Sequence, residues 1–315
     1  MRKTTIPSLA LIAILAAACS SAGSSASTPP SAAPSPSTAL TSTAPSVEPS
    51  ASADACAAAN LTLTTPGKFT IGTDNPAYPP YFAENADKHV TAPWEIGDPT
   101  NGEGFESAVG YAIADRLGFA KADVTWLVVP FANSFAPGPK TFDIDLNQVN
   151  YKVERTQTAD LSKGYYFGNQ ALVVLKSSPL AKATSIAELK DYVYGAQVGT
   201  TSFDAIAALI APSKDARIYD TNDLAIKALG NKTIDGVVVD LPTADYITNV
   251  QVDNAVIVGQ FDGGTPEYFS AVLTKGSPLT DCVNAAIDSL TTDGTLAGLA
   301  SKWLPFQDSV PVFKP

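Results

Sequence analysis

From Lys68 onward the chain alternates two hydrophobic periods, and this alternation restricts the fold more than any other feature. Runs with a period near two occupy Lys68–Thr73, Asp123–Val129, Phe142–Leu146, Ala171–Lys176, Tyr194–Val198, Arg217–Asp220, Gly236–Val239, Ala255–Val258 and Tyr268–Thr274. Between them lie helical stripes at Gly104–Leu117, Ile186–Tyr192, Phe203–Ile210 and Asp223–Leu229, and two more at Leu279–Leu290 and Leu296–Leu304. Strand and helix in this succession describe an α/β fold on parallel sheets, whose ligands bind at the carboxyl ends of the strands. Ala171–Lys176 leaves the first lobe and Tyr268–Thr274 returns to it.

The residues at those strand ends share a chemistry. The first run ends at Asp74, followed by an aromatic, Pro-rich loop that carries Tyr78. The second runs into Phe131. The third runs into three amides, Asn147, Gln148 and Asn150, with Arg155 in a short helix just beyond. Amides donate and accept hydrogen bonds, and a guanidinium grips a carboxylate with two parallel ones. Taken alone, the same residues also describe a solvated loop with a surface Arg. Gly199–Ser202 opens a helix, where Thr200 and Thr201 suit either an anion or a plain N-cap. Gly236–Val239 ends at Asp240.

Composition narrows the function. At 315 residues, 45% hydrophobic and 16% charged, the chain can bury a large core in more than one lobe. A net charge of −11 argues against a nucleic-acid partner. One histidine, His89, in a polar loop, and three cysteines, Cys19, Cys56 and Cys282, disfavour a His/Cys metal site and a Ser-His-Asp triad. No metal and no cofactor are expected.

The N-terminus reads as an address. Arg2 and Lys3 precede a short apolar run, Leu9–Leu15, and small residues Ala16–Ala18 lead to Cys19. Residues 1–18 are therefore expected to be a signal peptide. A Cys in that place resembles a lipobox and predicts lipidation of Cys19, although Ala16 stands where Leu is usual and ordinary secretion is the alternative. Ser, Ala, Thr and Pro dominate residues 20–55, too poor in apolar groups to offset ordering, so 19–55 reads as a disordered tether. It would reach between about 35 Å as a coil and about 110 Å as extended polyproline. A glycosylated, mucin-like stalk is compatible with it.

Several motifs occur in one order: P-G-K-F-T-I-G-T-D (66–74), Y-P-P-Y (78–81), G-F-E (104–106), V-E-R (153–155), G-Y-Y-F (164–167), V-G-T-T (198–201), I-D-G-V-V-V-D (234–240), Y-F-S-A-V-L-T-K-G-S-P-L (268–279) and D-G-T-L…K-W (293–303). In that order and spacing the chain resembles extracytoplasmic solute-binding proteins of ABC importers, the polar amino-acid family called family 3, over residues 66–305. The resemblance implies a two-lobed periplasmic-binding-protein-like fold (type II) with two crossing hinge strands. Lobe 1 would comprise 56–169 and 260–315, and lobe 2 would comprise 170–259. It implies a monomer that closes on a polar amino acid and delivers it to a membrane permease; with the lipobox, this predicts an extracytoplasmic protein anchored to the cell membrane by lipidated Cys19.

The family's carboxylate-binding Arg falls on Arg155, its preceding small polar residues on Asn147, Gln148 and Asn150, and its threonine pair on Thr200 and Thr201. Its ammonium-binding acid falls on Asp240, its side-chain sandwich on Tyr78 and Phe131, and an acid that reads basic side chains in some members on Asp74. Pairing of Arg155 with Asp240 as a ligand-free latch is the alternative. The chain departs from the family pattern at Asn147, Gln148, Asn150 and Lys152, where Ser or Thr is common, and at Glu106, where Asp is. The loops 83–103 and 133–139 are longer than typical. An enzyme on the same scaffold, dehydratase-like, and a ligand-sensing domain with a separate membrane partner are the other readings. With Cys19 lipidated and the domain exported, Cys56 and Cys282 are expected to form a disulfide joining the domain's start to its C-terminal helix; two buried free thiols are the alternative.

Overall fold

The computed structural model describes residues 55–85, 87, 90–263, 267–306 and 309–314. The signal segment, Cys19, the tether up to residue 54 and His89 lie outside them. In chain order the strands are β1 (Phe69–Thr73), β2 (Val124–Val128), β3 (Ile144–Asp145), β4 (Ala159–Gly168), β5 (Gln170–Leu175), β6 (Tyr194–Gln197), β7 (Arg217–Tyr219), β8 (Gly236–Asp240), β9 (Ala255–Phe261) and β10 (Glu267–Thr274). The helices are α1 (Phe105–Arg116), α2 (Phe131–Ser134), α3 (Thr201–Ala205, continued as a π-helix over Ile206–Ile210), α4 (Asn222–Gly230), α5 (Leu241–Tyr246), α6 (Thr280–Thr292) and α7 (Thr295–Trp303).

The strands form two five-stranded sheets with one topology. The first runs β2-β1-β3-β10-β4 and the second β7-β6-β8-β5-β9. In the first, β1 lies parallel to β2 and β3, and β10 is antiparallel to β3 and β4. In the second, β6 lies parallel to β7 and β8, and β5 is antiparallel to β8 and β9. Each sheet thus contains one strand that has just crossed from the other lobe, β10 or β5, and one that is about to cross, β4 or β9. The all-parallel sheet expected from the strand–helix alternation is corrected to a mixed one, because a strand arriving from the other lobe enters against the local direction. The chain crosses at Asn169, between β4 and β5, and again between Phe261 and Glu267.

Each sheet is packed by its own helices. Phe69, Ile71 and Ile144 of the first sheet are sealed with Phe105, Val109 and Ile113 of α1 and with Val283, Ile287 and Leu290 of α6. The second sheet is buried on both faces, Val173, Val237 and Leu229 on one side and Leu172, Val174, Tyr194 and Ile206 on the other. Continuous apolar runs such as Gly236–Val239 belong to strands covered twice. Cys56 and Cys282 form the expected disulfide, which ties the first described turn to α6.

Three stretches differ from the sequence expectation. β4, the longest strand, lies where the hydrophobic period predicts none: its pairing with β10 shifts register between Phe269 and Ser270 and again between Ser270 and Val272. Those bulges break the alternation by which a strand is recognised. The helix expected over Ile186–Tyr192 is only a 3-10 turn, Ile186–Leu189, although it carries a capping box of Ser185 and Glu188. The tail grouped with lobe 1 returns instead to the second sheet. Val312 bridges Gln260, Lys314 bridges Ser185, and Phe313 is buried against Phe261 with ring centroids 5.0 Å apart.

Candidate functional site

A cavity of about 160 Å³ lies between the two sheets. About 10–15 Å³ of such space holds one water-sized group, so the cavity has the scale of a small polar metabolite. The carboxyl ends of β1, β3, β6 and β8 converge on it. Its lining includes all ten residues singled out from the sequence: Asp74, Tyr78, Phe131, Asn147, Gln148, Asn150, Arg155, Thr200, Thr201 and Asp240.

Arg155 is 5% exposed. Its guanidinium donates to the backbone carbonyl of Asn150 in its own lobe and, at 2.8 Å, to that of Gly199 in the other. Phe135 and Phe131 lie at 4.4 and 5.5 Å from it. Burial lowers its pKa to about 10, which leaves it cationic at neutral pH. Among the described residues none of the ion pairs includes Arg155. Two of its five N–H donors are used, so three remain.

Asp240 ends β8 and is half-buried. One oxygen accepts from Asn150 Nδ2 at 2.8 Å and from Gln170 Nε2 at 2.7 Å. Burial, reinforced by the charge of Glu267, raises its pKa to about 7 against the opposing hydrogen bonds and Arg155. Asn150 also donates to Thr201 Oγ1 at 2.9 Å. Asn150 therefore stands between Arg155 and Asp240 and joins the lobes, and no direct latch between those two charges forms.

Two of the ten line the cavity with their side chains engaged elsewhere. The Thr200 hydroxyl caps α3: it donates to Gln197 O at 2.8 Å and accepts from Phe203 N at 3.3 Å. The Gln148 amide turns away to Glu106, which also accepts from Gln148 N at 2.8 Å and from the Tyr165 hydroxyl. Gln148 has φ +49°, a left-handed conformation that this anchoring holds. Glu106 is fully buried, and burial raises its pKa to about 7. Nearby, Asp145 is sealed with both carboxylate oxygens unpartnered, in space that Gly72 leaves by lacking a Cβ. Burial, then the charges of Glu106 and Asp74, raise its pKa well above the usual range, which favours the protonated form.

The sequence reading missed Gln170, Ser202, Thr221, Asn222, Asp223 and Thr243, which line the cavity or hold its residues. Thr221–Asp223 follows the end of β7, so the strand-end rule applied to Arg217–Asp220 would have found it. No local signal marks Gln170, whose amide reaches Asp240, Thr201 and Glu267.

Two lobes of identical topology, two crossings and a polar cavity between them define a two-lobed binding protein of type II. The chain belongs to the bacterial extracellular solute-binding proteins, family 3, whose model matches residues 86–306. It is 26% identical over 254 residues to a probable histidine-binding protein of Campylobacter jejuni, covering 79% of this chain and 88% of that one. It is 25% identical over 256 residues to an arginine-binding extracellular protein of Bacillus subtilis, covering 78% and 94%. Among solved structures it is similar to the arginine-, lysine-, histidine-binding protein of Geobacillus stearothermophilus, with a TM-score of 0.59, 23% identity, and 75% of this chain and 94% of that one covered.

Proposed function

We propose that the chain captures a free polar amino acid in the interlobe cavity and hands it to the permease of an ABC importer, while lipidated Cys19 tethers it outside the cell membrane. The carrying observation is the pair of opposite charges, Arg155 and Asp240, both facing the cavity and not joined to each other. Arg155, assisted by the Thr201 hydroxyl and the N-terminus of α3, would hold the α-carboxylate, and Asp240 the α-ammonium. Phe131 and Tyr78 would flank the side chain. Asn147 and Asn150 order the cleft floor, Asn147 through Val129 O at 3.2 Å. The relatives named for histidine and arginine support an amino acid as the ligand class. The family's extracellular location supports export, and the signal segment and tether read from the sequence support the anchor.

A thermal-shift screen against the common amino acids tests this. A ligand at one hundred times its Kd stabilises a protein by about 2.7 kcal/mol, so at least one amino acid should raise the melting temperature measurably. No shift with any of them would reject the reading. Turnover of a bound carboxylic acid would move the assignment to the dehydratase-like alternative, in which Asp240 would serve as general acid.

Binding should also depend on pH. Burial raises the pKa of Asp240 to about 7, and an ammonium ligand requires its ionised form. The bound state therefore has the lower pKa, so below about 7 binding must expel a proton. Affinity is expected to fall as pH falls from 7 to 5, by up to about tenfold per unit. Calorimetry across that range, in two buffers of different ionisation enthalpy, reads both the affinity and the released proton. An affinity constant between pH 5 and 8 would remove Asp240 from the ammonium role.

A further inference from the structure

Two residues outside the cavity lining act on Asp240: Gln170, the first residue of β5, and Glu267, the first of β10. Each opens the strand that follows a crossing, so one stands on each lobe at the hinge. Gln170 lies directly opposite Asp240 in the pairing of β5 with β8, which sets the two side chains next to each other. Gln170 is 1% exposed, and both ends of its amide are engaged. Its Oε1 accepts from the Ser202 hydroxyl at 2.7 Å. Its Nε2 meets Asp240 Oδ1 at 2.7 Å and Glu267 Oε2 at 2.9 Å, with Thr201 Oγ1 at 3.3 Å. A primary amide has two N–H bonds, so one nitrogen serves two carboxylates from different lobes.

Two carboxylates on one nitrogen stand close together. After burial, the charge of Glu267 is the largest influence that opposes ionisation of Asp240. The same charge favours the cationic form of Arg155. The other ionisable groups that act on Asp240 or feel its charge are Arg155, Tyr81 after β1 and Tyr166 of β4. Burial keeps both phenols protonated. Asp74 and Asp223 share the cavity lining, where they accept from Phe131 N and the Tyr78 hydroxyl. Asp245 of α5 accepts from Asn249.

We propose that Gln170 and Glu267 are positioning residues for the ammonium end of the cleft: Gln170 orients the Asp240 carboxylate, and the charge of Glu267, held beside it from the other crossing strand, governs the competition between an ammonium and a proton there. This rests on the amino-acid reading above and deepens it. An ammonium on Asp240 offsets the repulsion between the two carboxylates, and so does a proton. Glu267 therefore makes the site release its ligand at a higher pH than Asp240 alone would. Gln170 works against it, because a hydrogen bond donated to a carboxylate favours the ionised form.

Glu267→Gln and Gln170→Met separate the two effects. Glu267 is half-buried, and Glu267→Gln keeps its size and an acceptor for Gln170. In the full chain without ligand, carboxyl-carbon NMR reads the titration of Asp240, its signal assigned by its loss in Asp240→Asn. The midpoint should fall by about one pH unit in Glu267→Gln and rise in Gln170→Met. Calorimetry then uses arginine and glutamine, whose charges do not change between pH 5 and 8. Glu267→Gln should bind the tighter of the two about tenfold more strongly than wild type at pH 5 and about equally at pH 8. A gain confined to acid pH is not the mark of a merely structural lesion. An unmoved or opposite NMR midpoint in either variant would overturn this inference and leave the amino-acid reading standing. Midpoints that move as expected in a protein that binds no amino acid would overturn that reading and leave the hold of Gln170 and Glu267 on Asp240 intact.

Discussion

Arg155→Ala is expected to weaken amino-acid binding by roughly 30-fold to several thousand-fold. Truncating one partner of a buried, hydrogen-bonded charge pair costs about 2–5 kcal/mol, and about 1.4 kcal/mol is tenfold in affinity. Arg155 fits that class, being 5% exposed, stacked near Phe135 and linked to both lobes through Asn150 O and Gly199 O. Without it the ligand's carboxylate would enter a closed cleft with no cation among the lining residues. Arg155→Lys should recover little, because an ammonium lacks the planar fork and cannot serve two backbone carbonyls and a carboxylate together. Titration calorimetry with the best ligand from the screen checks both variants, and a thermal melt of the ligand-free proteins separates lost binding from lost folding. Binding within threefold of wild type, in variants that melt normally, would remove Arg155 from the site.

Reducing the Cys56–Cys282 bond is expected to destabilise the domain by about 5 kcal/mol in the chain-entropy account, because the loop it closes is long. The two cysteines are 226 residues apart, so the bond encloses most of the folded chain. For a domain of this size about 1 kcal/mol corresponds to 2–4 °C, so the melting temperature should drop by about 10 °C or more. Cys56 and Cys282 sit in the hydrophobic core of the first lobe, among the residues packed by α1 and α6, and neither lines the cavity. Ligand affinity at moderate temperature should therefore survive Cys56→Ser while thermal stability falls. Equal melting curves with and without reductant, with both thiols shown to be titratable afterwards, would show that the bond contributes nothing.

What local pattern could show, it showed at the strand ends. Side-chain period and strand termini are properties of a few neighbouring residues, so the strands ending at Asp74, Asn147 and Asp240 were legible before any folding was known. The arrangement of those ends around one cavity followed only from the resemblance, because no periodicity states which sheets share a cleft. The strand that escaped notice, β4, is the one whose bulges disrupt its period. The tail's return to the second sheet, through Val312 and Phe313, depends on partners some fifty residues or more away.

By itself, then, the amino-acid sequence determined the class of fold, the two cysteines available to pair, and the residue types that meet the ligand. Tertiary structure decided what each of those residues is free to do. Gln148 is spent on Glu106 across 42 positions, while Asn150 reaches Asp240 across 90. Tyr78 meets Asp223 across 145. A hydrogen bond is set by separation in space and a hydrophobic period by separation along the chain. Only folding makes the first visible, and with it the place of Asp223 in the cavity lining.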